Sequence, residues 1–285
     1  MTMTQKNGTM NMVRYMILIL VATIMLYPLF WLVGGIWKEN AEIFTSPWFF
    51  PLNPADGIAA IVQGWTTRTP LNLGQYFINT LRFLLPRVIF QTLSCLLTAY
   101  AISRFQFFGK KVVFSLVIAT LLMPDVVFRI PLFFLWRDLG LLNTMFPLWL
   151  DTAFATGSFF VFMLIQFMRT IPRDLDEAAK IDGCNSFRIL FSIIVPCMKP
   201  AIITVALLTF MWGMNDFLGP LIYITDPRQY PLALGLRLAS DNTGEGVLFR
   251  EIFAMSAMAL IPAITLFFAA QRFFIDGIAS TGSKG

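Results

Sequence analysis

The stretch Arg169–Lys199, RTIPRDLDEAAKIDGCNSFRILFSIIVPCMK, separates two strongly apolar runs, yet it is too structured to be a plain connector. Ile171-Pro172-Arg173-Asp174 closes the run before it. Asp174 is predicted to cap a short helix, with Glu177 three residues on completing an acidic version of the capping box. That helix would run over Leu175–Asp182, with Leu175, Ala178 and Ala179 on one face and Asp176, Glu177 and Lys180 kept polar. Gly183 suits a left-handed stop. Ser186 is placed to start a second segment, Phe187–Val195, ended by Pro196. A helix lying on a membrane surface would bury bulky Leu, Phe or Trp. A face of alanines instead suits close approach to a groove on another protein.

Outside this loop the chain is built for a bilayer. Of its 285 residues, 57% are hydrophobic and 13% charged, with a mean hydropathy of +0.72. Soluble domains are nearer 45–50% apolar and about 25% charged. Disorder, a coiled coil, a collagenous rod and an ordinary soluble enzyme are excluded. A membrane helix needs about 20 mainly apolar residues, and six stretches qualify: Val13–Trp37, Asn79–Ser103, Val112–Trp136, Pro147–Met168, Ala201–Ile224 and Ile252–Phe274. The first lacks a persuasive cleavage site and is read as a retained span. The predicted fold is all-α: one polytopic membrane domain over 1–285 with six transmembrane helices, its core at about 75–275, and the loop at 169–199.

Basic residues orient the bundle. Lys6, Arg14, Arg104, Lys110, Lys111, Arg169, Arg173, Lys180, Arg188, Lys199, Arg272 and Lys284 fall on the side of the termini. Only Lys38, Arg68, Arg137, Arg228 and Arg237 fall on the other. The excess places both termini and the 169–199 loop in the cytoplasm. It also accounts for the net charge of +5 without nucleic acid, since no basic run with interleaved aromatics stands outside the spans. The long outer loops, Lys38–Ile78 and Thr225–Glu251, are rich in Pro, Gly, Asn and Trp. The run SPWFFPLNP at Ser46–Pro54 is expected at the outer interface.

The chain has no histidine, and its three cysteines, Cys95, Cys184 and Cys197, have no CxxC spacing. Neither a disulfide framework nor a zinc site is indicated.

Glu177-Ala178-Ala179, then Gly183 four residues on, then nine residues, Ile193, one residue, Val195 and Pro196 closely resembles the EAA signature, EAA-x3-G-x9-I-x-L-P. That signature marks the membrane subunits of binding-protein-dependent ABC importers. The one departure is Val195 where leucine is usual. Ile171-Pro172 through Asp182-Gly183 is similar to the carbohydrate branch. So are Ala99-Tyr100-Ala101 with Arg104, Phe105, Phe107 and Gly109-Lys110, and Asn215-Asp216-Phe217-Leu218 with Pro220. Met214 and Gly219 stand where the family often has tryptophan. Gln271-Arg272-Phe273-Phe274 through Gly277 to Lys284-Gly285 resembles the end of the smaller permease of maltose-type transporters.

The resemblance implies a type I ABC importer permease fold, with the Glu177–Gly183 helix as a cytoplasmic coupling helix. Glu177, Ala178, Ala179, Asp182, Gly183 and Pro196 are its implied ATPase-coupling residues. It implies alternating access driven by two ATP-binding cassette subunits, a second homologous permease chain and an extracytoplasmic solute-binding protein. ATP and Mg would be bound by those ATPase subunits, with no cofactor, metal or catalytic residue in this chain. No GxxxxGK[ST] phosphate loop occurs here. The implied solute is a sugar or oligosaccharide, acidic ones included, with glycerol phosphate or a polyol as the alternative.

Polar groups at membrane depth rarely face lipid, so they are candidates for the translocation path. Asp125 and Arg129 are four apart and can pair on one helix face, bracketed by Pro124 and Pro131. Such a pair could equally neutralise itself between helices. Asn215 and Asp216, near Gly213, Gly219 and Pro220, predict a broken helix lining a cavity. They could instead only fix the bundle. Gln166 could be helix–helix glue, and Trp136, Trp149 and Trp212 could stack on sugar rings. For an anionic solute, Arg87 or Arg129 could serve. A stand-alone secondary transporter or channel would leave the EAA loop unexplained, and a membrane-embedded enzyme lacks a catalytic cluster.

Overall fold

The structure is a computed structural model and describes residues 3–48, 51, 56–66, 71–241 and 249–282. Arg68, Phe49, Phe50, Leu52–Pro54 and the Lys284-Gly285 end lie outside them. Every regular element among the described residues is helical: α1 (Met3–Gly35), α2 (Asn40–Ile43), α3 (Gly57–Thr66), α4 (Leu73–Arg104), α5 (Lys110–Leu122), α6 (Val126–Asp138), α7 (Ser158–Arg169), α8 (Asp174–Ile181), α9 (Ser186–Ile189), α10 (Val195–Cys197), α11 (Lys199–Met214), α12 (Leu218–Tyr223), α13 (Leu232–Asp241) and α14 (Phe249–Gly282), with short 3-10 turns and one π-helical stretch between them.

Among the described residues, four helical stretches are long and apolar enough to span a membrane: Asn11–Gly35, Leu73–Arg104, Leu150–Arg169 and Phe249–Ala269. Two bent pairs pass the same test together, which gives six spans where each pair is one span. The first pair is the expected run Val112–Trp136, interrupted at Pro124-Asp125 as its sequence predicts. It splits into α5 and α6, 106° apart. Pro124 explains the break: it has no N–H to donate, and it pushes the residue before it out of the helical region. Met123 is accordingly extended (φ −84, ψ 136). In the second pair, Ser186–Cys197 turns 82° into α11. The expected run Pro147–Met168 is helical in its α form only from Ser158. Its opening consists of 3-10 turns at Phe146–Leu148 and Leu150–Phe154, with Ala155 in the left-handed region (φ 55). The run expected at Ala201–Ile224 breaks at Asn215–Phe217 into α11 and α12, as the polar pair and Gly219-Pro220 predict.

The described residues form two compact units. In residues 1–73 and 236–260, Ile36, Ala60 and Ala254 make a small core. Lys38 is fully buried and donates to the Ser46 carbonyl (3.0 Å) and the Trp48 carbonyl, which satisfies an ammonium that water cannot reach. Trp31 meets Phe253 edge to face at 5.1 Å. The best 18-residue window of α1 has no buried residue, which suits a helix solvated by lipid.

In residues 74–235 and 261–285 the main core gathers Leu96 and Ala99 of α4, Leu164, Ile165 and Met168 of α7, and Ile189, Leu190 and Ile194 of the α9–π segment. Ala179 of α8 and Val205 of α11 complete it. Small residues let helices close up. A Cβ on Gly213 would sit 2.3 Å from Leu84 Cδ1, so a larger residue there would displace the Leu84 side chain between α11 and α4.

Candidate functional site

The 169–199 loop folds as a helix-turn-helix, and the structure corrects its sequence reading at several points. Asp174 is the first residue of α8, not its cap; the cap position is Arg173, and no side chain bonds the helix start. The buried face is Asp176 and Ala179, while Leu175 and Ala178 are exposed. A carboxylate can turn inward because Arg104, at the end of α4, waits for it. Arg104 Nε lies 3.2 Å from Asp176 Oδ2, with side chains only 8% and 10% exposed. The same guanidinium donates to the Ile171 carbonyl at 3.1 Å. Tyr100 Oη donates to the Ser186 carbonyl (3.2 Å), and Arg173 reaches back to the Ser103 carbonyl (3.2 Å). The last turn of α4 is therefore tied to the loop at four points.

Gly183 ends α8 as expected. Its φ is +78, its N–H bonds the Lys180 carbonyl (3.0 Å), and the Cys184 N–H bonds the Ala179 carbonyl (2.9 Å). That pair of bonds is a Schellman stop. The second segment starts at Ser186 as expected and is capped by Asn185, whose Oδ1 accepts from the Arg188 N–H at 2.9 Å. Pro196 does not end it. The chain shifts to wider π-helical bonds, with the Val195 N–H reaching Leu190, and continues to Cys197. Glu177 and Asp182 enter no ion pair among the described residues. Each of them is exposed, as are Ala178, Gly183, Pro196, Leu175 and Ile181, whereas Ala179 packs inward.

A cavity of about 940 Å³ opens between α4, α5, α6, the 3-10 turns, α7, α11 and α12. It brings together four of the predicted path residues: Asp125, Arg129, Trp212 and Asp216. Asn215 is not among its lining; its amide folds back onto the Met211 carbonyl at 2.8 Å, in an exposed position. Asp216 is the hub. Its side chain is 8% exposed and receives Arg87 at 2.8 Å, while Arg129 stands at 3.9 Å. It also accepts the Gly219 N–H at 3.0 Å across the α11–α12 break. Gly219 eases this approach: a Cβ there would lie 3.0 Å from both Asp216 Oδ2 and an Arg129 nitrogen, and those side chains would have to give way. Arg129 does pair with Asp125 at 3.2 Å, but Asp125 is 86% exposed, so this contact contributes little.

Sequence spacing left out Asp151, Gln91, Thr152 and Tyr223, all in the cavity wall. It also left out the Arg87–Asp216 tie, because its partners are 129 residues apart. Only the oddity of arginine inside an apolar span pointed to Arg87. Trp212 packs on Phe159 and Phe160 (centroids 5.8 and 5.1 Å) with its ring half exposed. Trp149 stacks on Phe90, whereas Trp136 is buried and Gln166 lies exposed outside the cavity wall.

The family described as binding-protein-dependent transport system inner membrane component matches residues 92–280. The diacetylchitobiose uptake system permease protein NgcG of Streptomyces coelicolor is 29% identical over 271 residues, 95% of this chain and 88% of its own. The galactooligosaccharides transport system permease protein GanQ of Bacillus subtilis is 32% identical over 278 residues, 95% of this chain and 94% of its own. A solved bacterial ABC transporter involved in import of the acidic polysaccharide alginate has a chain of the same fold. Its TM-score is 0.81 over 94% of this chain and 98% of that one, at 23% identity. With the loop helix, the broken spans and a family match across two thirds of its length, this chain belongs to the inner-membrane components of binding-protein-dependent transport systems.

Proposed function

We propose that this chain is one of two permease subunits of an ATP-driven importer that moves a sugar or oligosaccharide across the cytoplasmic membrane, with both termini inside. The carrying observation is α8. Arg104 and Asp176 hold it against α4 from behind, which leaves Leu175, Glu177, Ala178 and Ile181 free on the outer side. A short rigid helix presented in this way is suited to sit in a groove of an ATP-binding subunit. ATP and Mg would be bound there, not here. A second permease would face the cavity, and an external binding protein would deliver solute to it. Closure of the ATPase pair would then move α8 and the spans attached to it, exposing the cavity to one side and then the other.

The carbohydrate assignment rests on the company of sugar-permease relatives and on the wall chemistry. Trp212 offers an apolar ring face of the kind on which a sugar stacks. Asp125, Asp151 and Asp216 offer acceptors for hydroxyl groups and set three carboxylates against the two guanidinium groups of Arg87 and Arg129. Arginines already compensated in this way favour an uncharged solute. The test is uptake by the purified complex, reconstituted with its binding protein, of neutral oligosaccharides, uronate oligosaccharides and glycerol phosphate. ATP-dependent uptake of neutral oligosaccharides is expected. Purification of the chain without any ATPase, with solute flux in its absence, would overturn the importer reading; preferential glycerol phosphate uptake would overturn the solute.

A further inference from the structure

A second cavity, of about 620 Å³, lies where α4 ends, α5 begins and α7 ends. Its four charged wall residues are all cations: Lys110, Lys111, Arg169 and Arg173. Among the described residues none of them enters an ion pair. Three are instead held in place by uncharged groups. Lys110 donates to the Phe105 carbonyl at 2.8 Å, Arg173 donates to the Ser103 carbonyl at 3.2 Å, and Arg169 lies 5.3 Å over the Phe114 ring. These contacts fix the side chains and leave the charge uncompensated. In the large cavity, by contrast, carboxylates outnumber arginines. Converging like charges are stabilised by an anion, and α5 opens at the pocket with its positive dipole end.

We infer that this pocket binds the phosphate of an anionic phospholipid headgroup from the cytoplasmic leaflet. The leaflet rests on the orientation proposed above. A lipid fits better than a free anion because the pocket sits at the ends of membrane-spanning helices with apolar side chains leading away from it. Phe108 beside it is fully exposed, and Val112, in the first turn of α5, is 63% exposed. Basic pockets between spans on the cytoplasmic side are suited to acidic headgroups. Each cation near such a surface contributes about fivefold in affinity.

The experiment uses the intact complex with its ATPase subunits, incubated with equimolar phosphatidylglycerol and phosphatidylcholine, with bound lipid counted by native mass spectrometry. The wild type should retain phosphatidylglycerol selectively. The pairs Lys110→Gln with Lys111→Gln, and Arg169→Gln with Arg173→Gln, should each weaken retention about 25-fold. Unchanged retention in both pairs would overturn the inference. Displacement of the lipid by equimolar inorganic phosphate would assign the pocket to a free anion and overturn the lipid. Loss of ATPase subunits from the variants with lipid retained would assign the cations to the subunit interface, again overturning it. The lipid count requires no transport, so failure of sugar uptake is read separately.

Discussion

Removing the guanidinium that holds α8 should uncouple the loop from the spans. In Arg104→Ala, the Asp176 carboxylate stays 10% exposed but loses the Nε contact at 3.2 Å, and the Ile171 carbonyl loses its 3.1 Å donor. The Nε–Oδ2 approach is a Coulombic contact with no aligned hydrogen bond, since neither atom has a hydrogen-bond partner. Breaking a buried pair by deleting one partner costs about 3–5 kcal/mol, mostly from stranding the other charge. The poor alignment and the site's place at the end of a span argue for the lower figure. About 3 kcal/mol raises the population of a detached loop roughly 100-fold.

The assay is the ratio of solute taken up to ATP hydrolysed in reconstituted vesicles, measured beside the melting of the complex. Arg104→Ala and Asp176→Ala should each lower the ratio, with hydrolysis persisting. The double variant should recover part of the loss, because no charge is stranded, and the coupling energy of the cycle should be about 2 kcal/mol. Arg104→Lys keeps the charge but loses the forked geometry that reaches two groups, so it should be intermediate. If both single variants keep the wild-type ratio and melting point, the pair transmits nothing and α8 is positioned by other means.

Asp216→Asn should lower the melting of the complex by the equivalent of about 2–3 kcal/mol and impair uptake, because Arg87 and Arg129 then share a wall without their buried carboxylate; Asp125→Asn, whose carboxylate is 86% exposed, should stay within about 0.5 kcal/mol of wild type. Gly183→Ala meets no atom within 4 Å, so its cost is only the left-handed backbone, about 1–2 kcal/mol, and Gly183→Asn should cost less. A much larger loss of coupling in Gly183→Leu than in Gly183→Ala would show that a partner surface closes over this turn. Trp212→Ala should raise the KM for uptake about tenfold while Trp212→Phe stays near wild type, and an unchanged KM in Trp212→Ala would remove the ring from the solute path.

What the sequence made legible was local. The loop helix, its stop at Gly183 and the break near Asn215-Asp216 depend on residues within a few positions of each other. The misreadings have distant causes. Amphipathic spacing groups Leu175, Ala178 and Ala179 on one face and keeps Asp176 polar; in the structure Ala179 and Asp176 are the buried pair, because a cation 72 residues earlier compensates the carboxylate. Asn215 and Asp216 are indistinguishable as polar interruptions of a span, yet one bonds its own helix and the other crosses to α4. Pro124 forecast a disturbance of the third span, but its 106° bend depends on packing against α7 and α12, which spacing does not encode.

The loop and the large cavity meet in one element. α4 is a single helix that carries Arg87 and Gln91 in the cavity wall and Tyr100 and Arg104 against the loop. From Arg87 to Arg104 is 17 residues, about 25 Å at the rise of an α-helix. Pro86, the one residue that removes a bond from its ladder, lies just beyond Arg87, so it does not interrupt this stretch. Its buried side, through Leu96 and Ala99, packs in the same core as Leu164, Met168 and Ile189. Close-packed cores shift as units and do not deform continuously. On the proposed coupling, a displacement of α8 that holds the Arg104–Asp176 contact would carry Arg87 with it. Because Arg87 is bound to Asp216 at the α11–α12 break, the same displacement would strain the buried charge cluster at the cavity wall.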